Sequence, residues 1–542
     1  MSPLPLPDRP NLEQLKKQAK SLLHDAHAGD RDALARFALL PAFAGKSPDA
    51  IRPTDLALHD AQSVIAREHG LASWNALREE VEARTLTLDA AVDEFIRAAT
   101  AGASGRARRL LALHPAIGTA NFHTALVLGD APTVERRLRA HPQLATEPGG
   151  PMQWAPLLYV CHTCMHRDAE PASSELVAAT RRMVSAGRAD SLLAIARVLL
   201  ELGADPNSEY HWNWHPELPR TVLWGALITM KHRPLAQLLL ESGANPNDGV
   251  TTHIAAGSGM IDELELLHRH GMDVNGIPGG VPPLAYVLTW SSDASGPQWL
   301  LEHGADPNLP WGPDGEAPLH VAARRWDRAM VEMLVQHGAD FMRRRADGYT
   351  PHTLAEIYGN RDSASWLLAH GATDLLSPLE RFIAACARAD GAAADAMLRA
   401  HPGLAAELRR EHHLMLHRPA ETGNAAVLET MLARGFDPNA AADQDGVTPL
   451  HRAAMGGHPD AVRVLLEFNA AVNALDGMFS ATPLIWAVEG RSSNNHAGAD
   501  HVGVARLLIA GGSAVDWNPP PGAPGPERTL EGLAVLRREA AA

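Results

Sequence analysis

Residues 317–340 read APLHVAARRWDRAMVEMLVQHGAD, two helices and a stop. Ala317-Pro318-Leu319-His320 opens the first helix: a proline in the first turn forfeits no hydrogen bond, because that amide has no intrahelical acceptor. Ala322 and Ala323 are small enough to let a neighbouring helix approach closely. The second helix carries its apolar residues at Val331, Met333, Leu334 and Val335, spaced to face one core. Gly338 ends it, since helices commonly stop on a left-handed residue and glycine adopts that conformation without steric penalty.

Both halves recur. The ending returns as LLELGADPN (199–207), LLESGANPN, LLEHGADPN, LLAHGATD, MLARGFDPN and LLEFNAAVN. Its anchors are Gly203, Gly243, Gly271, Gly304, Gly338, Gly371, Gly435, Asn469 and Gly511, with gaps of 40, 28, 33, 34, 33, 64, 34 and 42 residues. Asn469 is the substitute that a left-handed stop tolerates best. Asp-Pro-Asn then turns the chain, proline setting φ while Asp or Asn bonds local backbone. The opening returns as TPHTLAEIYG, TPLHRAAMGG and TPLIWAVEG, where Thr caps the helix, and more loosely as APLLYVCHT, TVLWGALIT, VTTHIAAGSG, PPLAYVLTW and LMLHRPAETG. A unit of this length cannot bury its apolar face alone; stacked copies bury a continuous one.

The hairpin turn, the Thr-Pro-Leu-His helix, the second helix and the Gly-Ala-Asp ending together resemble the ankyrin repeat over 189–376 and 411–516. The likeness is looser over 86–150 and 377–410, where helices end in Leu113-His114-Pro115, Ala140-His141-Pro142 and Ala400-His401-Pro402. The 64-residue gap is then two units, and about twelve units follow. The expected fold is an all-α ankyrin-repeat α-solenoid, several units degenerate, with a helical N-terminal cap. Residues 1–85 lack the repeat and read as short helices (LEQLKKQAKSLL, RDALARFALL, LALHDAQSVIAREHG, SWNALREEVEAR), suited to covering the exposed end of a stack. Similar leaders precede bacterial ankyrin arrays, so the resemblance, to bacterial ankyrin repeat domain-containing proteins, covers this segment too. The expected organisation is a cap over 1–85, a first repeat block over 86–376 with an insertion at 168–188, a second block over 377–518 with an insertion at 491–501, and a Pro-rich turn with a capping helix over 519–542. Insertions are expected to project as loops from one face.

Composition narrows the class. A formal charge of −15 over 542 residues disfavours nucleic acid as a partner, since neutralising phosphates needs surplus Lys and Arg. Three cysteines (Cys161, Cys164, Cys386) cannot form a disulfide framework at this length, which points to a reducing compartment. No apolar run reaches the roughly 18 residues a membrane span requires, and the start lacks the apolar core of a secretory signal. A soluble, cytoplasmic protein is expected. Only 5 of its 48 basic residues are lysines, in keeping with a GC-rich bacterial genome.

Candidate chemistry is sparse. CHTCMH (161–166) offers Cys161, His162, Cys164 and His166, but structural zinc needs four ligands and no second CxxC follows. Aligned on APLLYVC, Cys161 takes the second small-residue position and packs inward. At His253, His320, His417 and His451 the resemblance implies an imidazole that bonds backbone and the Thr hydroxyl of the tight turn. No Walker pattern and no nucleophile elbow occur. The expectation is therefore no catalytic residue, no metal, no cofactor and no enzymatic activity. The alternatives are an enzyme in the groove near Trp212 and the 168–188 insertion, and a metal-dependent module on the CHTCMH segment.

The resemblance implies a protein partner along the concave surface, touched by finger residues and by the two residues after each small pair. Those helix positions are His162 and Thr163, Ile228 and Thr229, Gly257 and Ser258, Thr289 and Trp290, Arg324 and Arg325, Ile357 and Tyr358, Glu421 and Thr422, and Met455 and Gly456. The finger positions include Trp311, Glu316, Tyr349, Gln444, Asp445 and Val447, with Tyr210, Trp212 and Trp214 in the finger around HWNWH (211–215). Trp, Tyr and Arg dominate binding hot spots. For Trp212 and Trp214, contact with a partner and lateral packing between fingers both remain open; Tyr349 and Tyr358 are expected to make contact.

Overall fold

A computed structural model of the chain describes residues 4–541 apart from 8, 41–42, 52–55, 72, 167–174, 213–214, 277–279, 443–444, 478, 494–497, 516 and 518–525. Helix hairpins are the repeating element, as the punctuation predicts. The chain forms two compact units, Met1–Leu309 and Pro310–Ala542. In the first, the pairs run from Leu88–Thr100 with Ser104–Leu113 to Pro283–Trp290 with Ser295–Glu302; in the second, from Pro318–Arg325 with Arg328–Gln336 to Pro483–Ser493 with His501–Ala510. Among the described residues each unit holds six such pairs, counting the looser ones that end in His-Pro, and the fold is an all-α ankyrin-repeat solenoid. No described helix is long and apolar enough to cross a membrane.

The glycine stops behave as their chemistry requires. Gly338 sits at φ +93° with no heavy atom within 4 Å of where a Cβ would stand, and Asn469 takes φ +64°. The last stop falls one residue later than expected: Gly511 is at φ −77° and Gly512 at φ +90°. His114, His141 and His401 stop their helices at φ −127° to −140° and ψ +73° to +81° instead, and the prolines that follow each open a new turn.

Asp-Pro-Asn does more than turn the chain. Asp205 accepts from the Asn207 amide locally at 2.8 Å, but the Asn207 side chain reaches the next repeat, donating to the Gly243 carbonyl (3.1 Å) and accepting from the Asn245 amide (2.7 Å). Asn247 does the same to Gly271 and Asp273, and Asn439 to Asn469 and Ala471. Where an Asn follows the turn, this ladder ties one stop to the next. Replacing Asn247 by Ala removes two such bonds at a solvent-facing site and is expected to cost about 1 kcal/mol in a urea titration; an unshifted midpoint would show that water replaces them without loss.

The Thr-Pro-Leu-His histidines add a second tie. At His451, Nδ1 accepts from the Thr448 amide (3.1 Å) and pairs with its hydroxyl (2.9 Å), which leaves Nε2–H to donate to the Ala481 carbonyl (3.1 Å) in the next finger. His320, His417 and His253 reach the carbonyls of Arg343, Ala440 and Val281. Between the layers lie aliphatic side chains such as Leu264, Leu267, Leu334 and Leu465, all fully buried and each contributing about 1.5–3 kcal/mol of hydrophobic stabilisation.

Residues 12–85 form Leu12–His27, Arg31–Arg36, Leu58–Glu68 and Trp74–Thr85 around a core of their own that includes Leu22, Phe37, Val64 and Leu77. The first insertion does not project as a loop over its described part. Glu175–Glu201 is one unbroken 27-residue helix, so the insertion lengthens the second helix of its repeat; no proline interrupts this stretch to stop it. Residues 168–174 lie outside the described residues. At the other end, Pro526–Ala541 buries Leu533 and Leu536, and Arg491 holds Glu539 through two hydrogen bonds.

Candidate protein-binding surfaces

In the Met1–Leu309 unit the finger around HWNWH is a β-ribbon, Glu209–Trp212 against His215–Thr221, antiparallel with an irregularity after His211. Tyr210 is half-buried and stacks on Trp154 of the preceding finger, ring centres 4.1 Å apart, so it packs laterally. The Trp212 side chain and Trp214 lie outside the described residues. Ile228 is half-buried in the π-turn Gly225–Thr229, which replaces the usual small pair. Trp290 ends its helix 68% exposed, in contrast to the half-buried Tyr210.

The CHTCMH segment is interior. Cys161 is fully buried, and burial pushes its thiol up, so it stays protonated. His162 is enclosed by Trp154, Tyr210 and Trp224, and its Nε2 lies 3.1 Å from the Thr221 carbonyl. Burial pushes this imidazole down to about 4, against the pull of the Thr221 carbonyl, so it is neutral near pH 7. His162 and Thr163 were expected to face a partner; both are buried, Thr163 donating to the Val127 carbonyl.

In the Pro310–Ala542 unit several expected contact residues are already engaged. Ile357 is 1% exposed and belongs to the core, so it cannot touch a partner. Thr289 and His162, at the equivalent position of their own repeats, are also buried, whereas Glu421 at that position is exposed. Arg324 is half-buried and shares Glu316 with Arg345, both at 2.8 Å; Glu316 is itself buried, as are Val447 and Gly456. Tyr349 places its hydroxyl 3.3 Å from His412 Nε2, and both Tyr349 and Tyr358 pack against the core as half-buried side chains. Trp311 pairs with Glu316 across its own finger, each amide reaching the other's carbonyl at 2.9 Å. Arg325 and Asp445 are exposed, Met455 is half-buried, and Gln444 lies outside the described residues.

Two contacts go beyond the nearest-neighbour rule of stacked repeats. Arg418 Nη2 donates to the Arg325 carbonyl at 2.9 Å across the two helices Pro351–Ile357 and Pro378–Ala387, and Tyr349 meets His412 over a sequence distance of 63. The face formed by the inner helices is therefore drawn together around Arg325. The positions that bring Arg418, Arg452 and Trp486 to it follow the Thr-Pro-Leu-His histidine and are spaced 34 residues apart. That period is a signal the sequence reading passed over.

Comparison with known proteins agrees with this geometry. A family model described as ankyrin repeats matches residues 297–376 and 414–518. Cyclin-dependent kinase 4 inhibitor B of Homo sapiens is 32% identical over 128 residues, which is 24% of this chain and 91% of the inhibitor. The chain belongs to the ankyrin-repeat family. Among other ankyrin-repeat relatives, Rabankyrin-5 of Mus musculus is 26% identical over 38% of the chain, which spans only 19% of that protein's length. An ankyrin repeat protein of Fowlpox virus is 26% identical over 31% of the chain and 94% of its own length.

Proposed function

We propose that the chain is a non-catalytic scaffold that binds a protein partner through the faces formed by its inner helices and fingers. One observation carries this reading: Trp290, the second residue after the small pair, stands 68% exposed at the end of its helix. An exposed indole on a rigid helix end is a ready hot spot, because little side-chain entropy is lost when it is covered. The burial of Cys161 and His162 supports a structural role for the one segment that could have carried thiol, acid–base or metal chemistry. The net charge of −15 favours a protein over a nucleic acid.

Within this reading, residues 1–85 cap the first repeats and 519–542 the last, with repeat blocks over 86–376 and 377–518; the separate core of the first segment supports the cap. All three cysteines are buried and outside any disulfide, which supports a reducing, cytoplasmic setting, and the scarcity of lysine supports a bacterial source. The Trp290→Ala variant is expected to bind a purified partner about tenfold more weakly or worse while its melting midpoint stays at the wild-type value. Unchanged affinity would remove Trp290 from the interface.

A further inference from the structure

Charge on the inner-helix face of the Pro310–Ala542 unit is unevenly matched. Arg324 and Arg345 close on Glu316, and Arg388 pairs with Glu356. Arg325, Arg418 and Arg452 have no carboxylate partner among the described residues: Arg418 is turned to the Arg325 carbonyl, and the Arg452 guanidinium lies 5.8 Å from the centre of the Trp486 ring. Arg418 and Arg452 hold the same position in successive repeats, and Trp486 holds it in the next.

Although the Arg325 residue as a whole is exposed, partial desolvation of its guanidinium and then the like charge of Arg418 depress it, with Glu421 opposing and Arg324 and Arg452 adding. Gathering like charges costs free energy that an incoming anion would relieve. Beside the row, Met455, Phe479, Trp486 and Trp517 line a mostly apolar cavity of about 260 Å³, with Glu489 on its wall accepting a hydrogen bond from the Thr529 hydroxyl.

We propose that Arg325, Arg418 and Arg452 form a carboxylate-reading row that binds an acidic segment of a protein partner, with the cavity beside Trp486 taking an apolar side chain of the same segment. This deepens the scaffold reading and rests on it. Guanidinium forks match carboxylates with two N–H donors to two oxygens. Nucleic acid fits less well: duplex DNA presents a charge about every 1.7 Å, whereas this row has three cations, an acidic neighbour and an apolar end.

The test uses the full chain and fluorescence anisotropy with a short peptide alternating Glu and Leu, its Gln counterpart, and an oligothymidylate. The Glu peptide is expected to bind about tenfold tighter than the Gln peptide. That advantage should vanish in R325A/R452A, return in part in R325K/R452K, and shrink with added salt. Arg418 is left in place because it supports the Arg325 carbonyl, and an unchanged melting midpoint in the variants shows that the face is intact. Equal binding of the Glu and Gln peptides, equal binding by R325A/R452A, or competition by oligothymidylate as strong as by the Glu peptide would each overturn the proposal. Binding of a purified partner that R325A/R452A leaves unaltered would also overturn it while the scaffold reading stands; a chain that binds no protein at all would overturn both.

Discussion

Replacing Gly296 by alanine is expected to destabilise the Met1–Leu309 unit by about 3 kcal/mol. Gly296 lies in Ser295–Glu302, where a Cβ would stand 1.9 Å from the Ala256 carbonyl oxygen and 2.8 Å from its carbon. Both are backbone atoms, so no rotamer change relieves the overlap; the helix must move off Thr251–Gly257 and open the packing between two repeats. Helix propensity alone favours alanine by about 1 kcal/mol, and the clash must outweigh that gain. Gly338→Ala provides the contrast. The site is open, and only the left-handed backbone at φ +93° resists a side chain, which costs about 1–2 kcal/mol. Urea titrations of the two variants decide the matter: a Gly296→Ala chain that unfolds with wild type would show that the two helices do not approach this closely.

Acid should weaken the protein before its carboxylates titrate. In the folded chain, burial pushes His162 down to about 4, while an unfolded histidine titrates near 6.5. Between those values the unfolded state binds more protons, so stability rises with pH. The contribution is whole above pH 6.5, falls by about 2 kcal/mol at pH 5, and is lost to about 3 kcal/mol near pH 4. Burial also lowers His123, His253, His320, His352, His412, His417 and His451. Among these, His352 is 1% accessible and neither ring nitrogen has a hydrogen-bond partner, although Glu356 and Asp374 oppose the shift. Urea midpoints at pH 7.5, 6.0 and 5.0, for wild type and His162→Asn, should show a fall that is smaller in the variant. A flat wild-type profile across that window would mean the histidines are hydrated.

The parts of this fold that were legible in the sequence are those written in local chemistry. Gly338 and Asn469 stop helices because of their own backbone preferences, and Pro318, Pro351 and Pro449 open them for the same reason. Even the units ending at His114, His141 and His401 kept the helix pair. What could not be read depends on how neighbouring units meet. Gly511 and Gly512 are equally capable of the left-handed turn, and only the register of the last repeat selects the second. Ile357 and Arg325 occupy adjacent columns of the same motif, yet one is core and one is exposed, and the column alone does not decide it, since Glu421 shares the column of Ile357 and is exposed. The Arg418 to Arg325 contact spans three repeats; the 34-residue period places Arg418 on the face but does not say which carbonyl its side chain reaches.

The central claim, that the inner helices and fingers grip a protein, is tested most directly by hydrogen exchange on the chain with and without its purified partner. Slowed exchange should concentrate at the ends of Pro283–Trp290, Pro318–Arg325 and Pro449–Gly456 and in the fingers that precede them. Protection confined to the second helices, such as Arg328–Gln336 and Pro459–Glu467, would place the partner on the opposite face and contradict it.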